Sequence, residues 1–168
     1  MTWIGELLGD LLSERSLIGA LGAIVGGLIT GYFNLWNTRR KNSYELLEAT
    51  TKQSDQVHAY AVIYKFLAST PGIELIPVKQ IQETDKLEES LVVIFMTYQY
   101  IAHAAKIKLL DRDAVLIDSY AAMSLMRKRF RLFIEHYRSA LGRPKLWSEF
   151  VSFVDDKKNE SRHAKLNR

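Results

Sequence analysis

Residues 16–36 read SLIGALGAIVGGLITGYFNLW, and NTRRK follows at once. From Ser16 to Thr38 there are 23 consecutive residues without a formal charge, and an α-helix needs about 20 apolar residues to cross a hydrocarbon layer about 30 Å thick. Nine of the 23 are Leu, Ile, Val or Phe, and five are Gly. In water each Gly inside a helix costs about 1 kcal/mol relative to Ala. In lipid, unsatisfied backbone groups cost several kcal/mol and a helix satisfies them. The stretch therefore predicts a transmembrane helix over residues 16–38. A cleaved export signal does not fit, because it needs a positive start and a small-x-small cleavage site. Here Glu6, Asp10 and Glu14 precede the stretch against Arg15 alone, and Tyr32, Phe33, Asn34, Leu35 and Trp36 end it.

Orientation follows from the basic residues. Arg39, Arg40 and Lys41 come directly after the span, and basic residues favour the cytoplasmic side. This predicts an inner-membrane protein with its N-terminus outside and its C-terminal part cytoplasmic. Trp36 joins the three cations as a residue expected to contact lipid at that interface. Within the span Gly19, Ala23, Gly27 and Gly31 recur every four residues, and Gly22 and Gly26 form a row beside them. Residues four apart share a helix face. Small residues there let two helix backbones approach closely, so a homo-oligomer assembled through this face is expected.

The chain has 168 residues and a net charge of +4. Residues 1–36 carry one basic and three acidic side chains, and the remainder carries 22 basic and 16 acidic. A modest positive excess beside anionic lipid does not by itself imply nucleic acid. There is no cysteine, which excludes disulfides, thiolate metal sites and cysteine nucleophiles. Before the span, Ile4, Leu7, Leu8, Leu11 and Leu12 fall at helical spacing, giving an amphipathic helix over 1–15. Its acidic polar face has the wrong sign for strong attraction to anionic lipid.

From residue 39 to 155 the pattern is helical throughout, with no strand alternation and no repeat, and predicts an all-α cytoplasmic domain of about four helices. The first, about 43–68, shows Val57, Tyr60, Ala61, Tyr64 and Leu67 on one stripe, and Pro71 with Gly72 ends it. Asp85 and Glu88 supply a cap and capping partner for the second. That helix runs to about Leu109 and turns Leu87, Leu91, Ile94, Phe95, Tyr98, Ile101 and Ala105 inward, which makes it the most buried of the four. Asp111 or Asp113 caps the third, whose inward stripe is Met123, Met126, Phe130, Phe133, Ile134, Tyr137 and Leu141, and Gly142 stops it. Pro144 opens a short fourth helix carrying Leu146, Trp147, Phe150, Phe153 and Val154. The basic tail 156–168 has no periodic apolar face and is expected to be loosely ordered.

Chemical motifs are absent. His58, His103, His136 and His163 lie far apart and form no HExxH or similar ligand spacing, so no metal site is supported. No phosphate-cradling glycine loop and no GxSxG elbow occurs. Paired carboxylates such as Glu88 with Glu89 point apart on a helix. No catalytic residue and no cofactor is assigned. The one concentration of charge is MRKRFRLF, with Arg127, Lys128, Arg129 and Arg131 around Phe130. Arg131 has Glu135 four residues on, the pattern of a solvated salt-bridged face. The same residues Arg127, Lys128 and Arg131 also suit contact with an acidic protein partner or phospholipid, and nucleic acid is disfavoured.

The run YQYIAHAAKIKLLDRDAV, leading through RFRLFIEHYRSALGRPKLWSEF, resembles a family of small bacterial membrane-anchored helical-bundle proteins classified only as a domain of unknown function. The likeness covers about residues 30–155 and rests on the acidic turn at Lys108–Ala114 and the break at Gly142, Arg143 and Pro144 before Trp147. The resemblance implies a bacterial or prophage inner-membrane protein, accessory roles including phage defence, and no catalytic residue to carry over. Two functions stand side by side at this point. One is a noncatalytic interaction or regulatory module that self-associates and holds a protein partner. The other is a membrane-perturbing effector that oligomerises through the span.

Overall fold

The computed structural model describes the backbone of residues 14–51 and 53–168 and the side chains of residues 26–45, 47–48 and 53–168. Every regular element among them is helical: α1 Glu14–Thr51, α2 Ser54–Ser69, α3 Val78–Gln82, α4 Leu87–Lys106, α5 Arg112–Asp118, α6 Tyr120–Arg129, α7 Arg131–Ala140, α8 Ser148–Asp155 and α9 Lys157–Leu166. The amphipathic helix expected over 1–15 falls outside the described residues, apart from Glu14 and Arg15, which open α1. The chain divides into two compact units, residues 1–39 and 40–168.

In the first unit every described side chain, 26 to 39, is exposed. The transmembrane expectation is overturned: among the described residues no helix is long and apolar enough to cross a membrane. The same helix continues without a break through Arg39, Arg40 and Lys41 to Thr51. A crossing helix needs about 20 apolar residues. The single-pass inner-membrane address, with its outside N-terminus and cytoplasmic C-terminal part, falls with it.

The second unit is built around α4. All seven residues expected to face inward from it are buried: Leu87, Leu91, Ile94, Phe95, Tyr98, Ile101 and Ala105. Phe95 lies among four other rings, Trp147 at 5.1 Å, Phe150 at 5.5 Å, Phe133 at 6.2 Å and Phe130 at 6.5 Å between centroids. α2 packs along α4 with a stripe one residue out of phase with the expected one. It buries Gln56, Ala59, Ile63 and Phe66 and leaves Val57 and Tyr64 about half exposed. The polar ends of the true stripe hid it: Gln56 opens it, and Thr70 closes the helix by donating its hydroxyl to the Phe66 carbonyl at 3.0 Å. Tyr60 stacks on Tyr64 at 6.0 Å, an arrangement in which amphipathic rings cover apolar surface from the rim.

Several boundaries differ from expectation. Asp85 and Glu88 do not cap α4; the residue before it is Lys86, in the left-handed region at φ 56°. The expected third helix is three, α5 to α7, interrupted at Ser119 and at Phe130, whose φ of −108° and ψ of 23° leave the helical region while its ring is fully buried. Asp111 caps α5 as expected, accepting from the Asp113 and Ala114 amides at 2.8 and 3.0 Å. Gly142, at φ 62°, follows α7, but Leu141 is 52% exposed because the helix ends at Ala140. α8 begins at Ser148 rather than at Pro144. Its start is set by Gln99 of α4, whose Oε1 accepts from both the Glu149 and Phe150 amides at 3.1 Å, satisfying donors that a helix leaves open.

The tail is ordered. α9 is capped by Asp156, which accepts from the Lys158 amide at 2.9 Å. Asn159 is 1% exposed, donates to the Phe153 carbonyl at 2.7 Å and accepts from Arg112 Nε at 2.7 Å. Arg112 also pairs with Asp156, and Arg162 with Asp113. This seam is polar, so hydrophobic periodicity carried no sign of it. At the other side of α5 the last turns of α1 dock: Ser43 and Leu47 are buried, and Ser43 Oγ accepts from the Asp111 amide at 2.7 Å.

Two measurements check this core. Asn159→Ala leaves the Phe153 carbonyl and Arg112 Nε without their partner and is expected to cost about 1–3 kcal/mol in urea denaturation. Burial pushes the Tyr98 hydroxyl well above the ordinary tyrosine value of 10, and burial also raises Tyr60. A folded-state pKa above the unfolded one means that the unfolded chain loses its proton first, so stability is complete below about pH 10 and falls as pH rises beyond it. Tyr98 Oη is buried without a hydrogen-bond partner. Tyr98→Phe is therefore expected to leave neutral-pH stability unchanged or higher and to flatten the alkaline loss.

Candidate functional site

The basic run is divided by the fold. Arg129 serves the structure itself. Its Nη2 donates to the Thr70 carbonyl at 2.8 Å, and its own carbonyl accepts from the Ile76 amide at 2.9 Å. Both bonds pin the 70–77 connector across the junction of α6 and α7. Phe130 fills the core. The other three cations, Arg127, Lys128 and Arg131, line one open cleft of about 570 Å³, in the size range of ligand sites. Tyr120 and Ser124 of α6, Glu74 and Leu75 of the connector, Val154 and Asp155 of α8, and Lys157 and Glu160 of α9 complete it.

The cations differ in how firmly they are held. Arg127 pairs with Asp155 at 3.1 Å, its side chain is 18% exposed, and its Nε is buried without a hydrogen-bond partner. Lys128 reaches Glu74 at 3.4 Å, with both side chains largely in solvent. Arg131 pairs with Glu135 at 3.3 Å, four residues on, as the sequence predicted. Exposed pairs of the latter kind hold weakly. Tyr120 donates its hydroxyl to the Val154 carbonyl at 3.1 Å, and burial together with the acidic neighbours Glu160, Asp155 and Asp156 pushes its pKa up. The Tyr120 phenol is thus a fixed, protonated donor in the wall.

Sequence reasoning missed the α9 side of the cleft, because the tail was expected to be loose. The signal that could have found it is Asp156 in front of Lys157, Lys158 and Glu160, a capping residue before good helix formers.

The small-residue rows are brought partly into view. Gly26, Gly27 and Gly31 lie on α1 with no atom within 4 Å of the position a Cβ would take. Gly19, Gly22 and Ala23 lie outside the residues whose side chains are described. Of the cations expected at a lipid surface, Lys41 pairs with Glu45 at 3.8 Å. Arg40 stands over the Tyr44 ring at 6.0 Å, and its hydrogen bond to that phenol raises its pKa. Trp36 is 40% exposed. His58, His103 and His136 are exposed, and among the described residues no group of three or more acidic or histidine side chains could hold a metal.

Alanine at adjacent positions of the basic run separates the two roles. Arg129→Ala removes the bond to the Thr70 carbonyl while keeping the backbone bond from Ile76 and should cost about 1–3 kcal/mol. Lys128→Ala should change stability by less than about 0.5 kcal/mol, both read by urea denaturation.

One family model, described as a domain of unknown function (DUF4760), matches residues 17–156. The match takes in nearly all of α1, the acidic turn that caps α5, the break before Trp147 and the cleft residues as far as Asp155. No curated protein and no solved structure shows a significant match. With 140 of its 168 residues inside the model, the chain belongs to the DUF4760 family.

Proposed function

We propose that this chain is a noncatalytic interaction module that assembles with copies of itself through α1 and presents the helical unit of residues 40–168 to a protein partner. The observation that carries this reading is the apolar surface of α1. Leu28, Ile29, Tyr32, Phe33, Leu35 and Trp36 all stand exposed within nine residues, three of them at 69% or more. Exposed apolar runs of this density mark surfaces that associate, and a helix makes little stability of its own without a packed face. Gly27 and Gly31, one turn apart with open space above them, let a second helix approach closely. A second copy of α1 offers both the apolar side chains and the matching small-residue row.

Gly27→Leu with Gly31→Leu raises helix propensity and so leaves α1 able to form, but it fills the approach. Sedimentation velocity on the full chain should then show a shift toward monomer, weakening assembly by about tenfold or more, equivalent to about 1.4 kcal/mol. An assembly of unchanged size and affinity would remove α1 from the reading.

A further inference from the structure

We propose that the cleft between α6 and the corner of α8 and α9 is a docking site for an acidic peptide segment of a partner protein, with Lys128, Arg131 and Lys157 as the exchangeable cations and Arg127 as the fixed one. This deepens the interaction reading and takes over its premise that the chain works by binding.

Three features point to that ligand. The first is supply of positive charge that folding does not consume. Lys157 has no ion pair among the described residues, and the partners of Lys128 and Arg131 are solvent-exposed carboxylates at 3.4 and 3.3 Å, which exchange readily for carboxylates brought by a ligand. The second is Arg127. Asp155 engages Nη2, while Nε remains buried and unmet, and a guanidinium offers its donors in a fixed fork suited to carboxylate oxygens. The donor within a ligand's reach is Nη2, held at 3.1 Å by an Asp155 side chain that is half exposed.

The third is the pattern of sign. Glu74, Asp155 and Glu160 share the cleft with the cations, so a compact dianion at its centre meets carboxylates as well as cations. An extended chain can set its acidic side chains against Lys128 and Arg131 and keep them away from Glu160. Leu75, 37% exposed, adds an apolar contact at the rim. Complementary charge of this kind fixes register and steers encounter, and salt screens it.

The experiment uses the full chain and a fluorescein-labelled decapeptide of alternating glutamate and tyrosine, followed by anisotropy at low and high salt. A lysine–tyrosine decapeptide, a single-stranded oligonucleotide and inorganic phosphate as competitor are run beside it. Binding of the acidic peptide should weaken about tenfold or more in Lys128→Glu/Arg131→Glu and fall with salt, while Lys145→Glu, outside the cleft, leaves it unchanged. Both altered positions are exposed, and circular dichroism of the variants confirms the fold. Equal affinity of the double variant, no binding by the unaltered chain, tighter binding of the oligonucleotide, or full displacement by low phosphate each overturns the proposal. Sedimentation of the same samples separates the two readings. Assembly without peptide binding sinks the cleft alone, and peptide binding by a monomer sinks self-association alone.

Discussion

The second unit depends on one ring. Phe95 sits midway along α4 and meets Phe133 at the start of α7, Phe130 at the junction before it, Trp147 just ahead of α8 and Phe150 in its first turn. No two of α4, α7 and α8 could be pulled apart without stripping contacts from it. Aromatic pairs at about 5 to 7 Å add specific geometry to the area they bury, and here that geometry decides where helices must break. Phe130 and Trp147 both reach the cluster from residues that are not helical, one in an interrupted turn and one at φ 56°.

Legibility in the sequence followed the same division. The apolar residues of α4 dominate its inward face, where Ser90 and Thr97 are buried beside them, and all seven predicted positions are buried. α2 is the contrary case. Its true stripe starts and ends on Gln56 and Thr70, while two tyrosines beside it look like core, so a reading by hydrophobicity rotates the helix by one residue. Helix interruptions at Ser119 and Phe130 carry no glycine or proline and were invisible for that reason. α9 was missed because a buried asparagine and two ion pairs hold it, and nothing in a hydrophobic pattern distinguishes that seam from a solvated tail. The span was read from the uncharged length of 16–38, whereas among the described residues no helix is both long and apolar enough to cross a membrane.

The candidate cleft shows why a charge run says little until it is folded. Four cations close together in the chain serve three purposes: Arg129 ties down a connector, Arg127 holds a helix end, and Lys128 and Arg131 remain at the surface. The remaining cation of the cleft, Lys157, comes from α9. Its acidic side, likewise, is assembled from the connector before α3 and from α8 and α9. Spacing could identify Arg127, Lys128 and Arg131 alone.

Gln99 carries a consequence that reaches beyond its two hydrogen bonds. The amides of Glu149 and Phe150 are protected by a side chain fifty and fifty-one positions upstream, so their isotope exchange with solvent registers whether α4 is intact at that point. Loosening of α4 anywhere near residue 99 uncovers both, and these two protons become a remote gauge of the central helix from the far end of the chain.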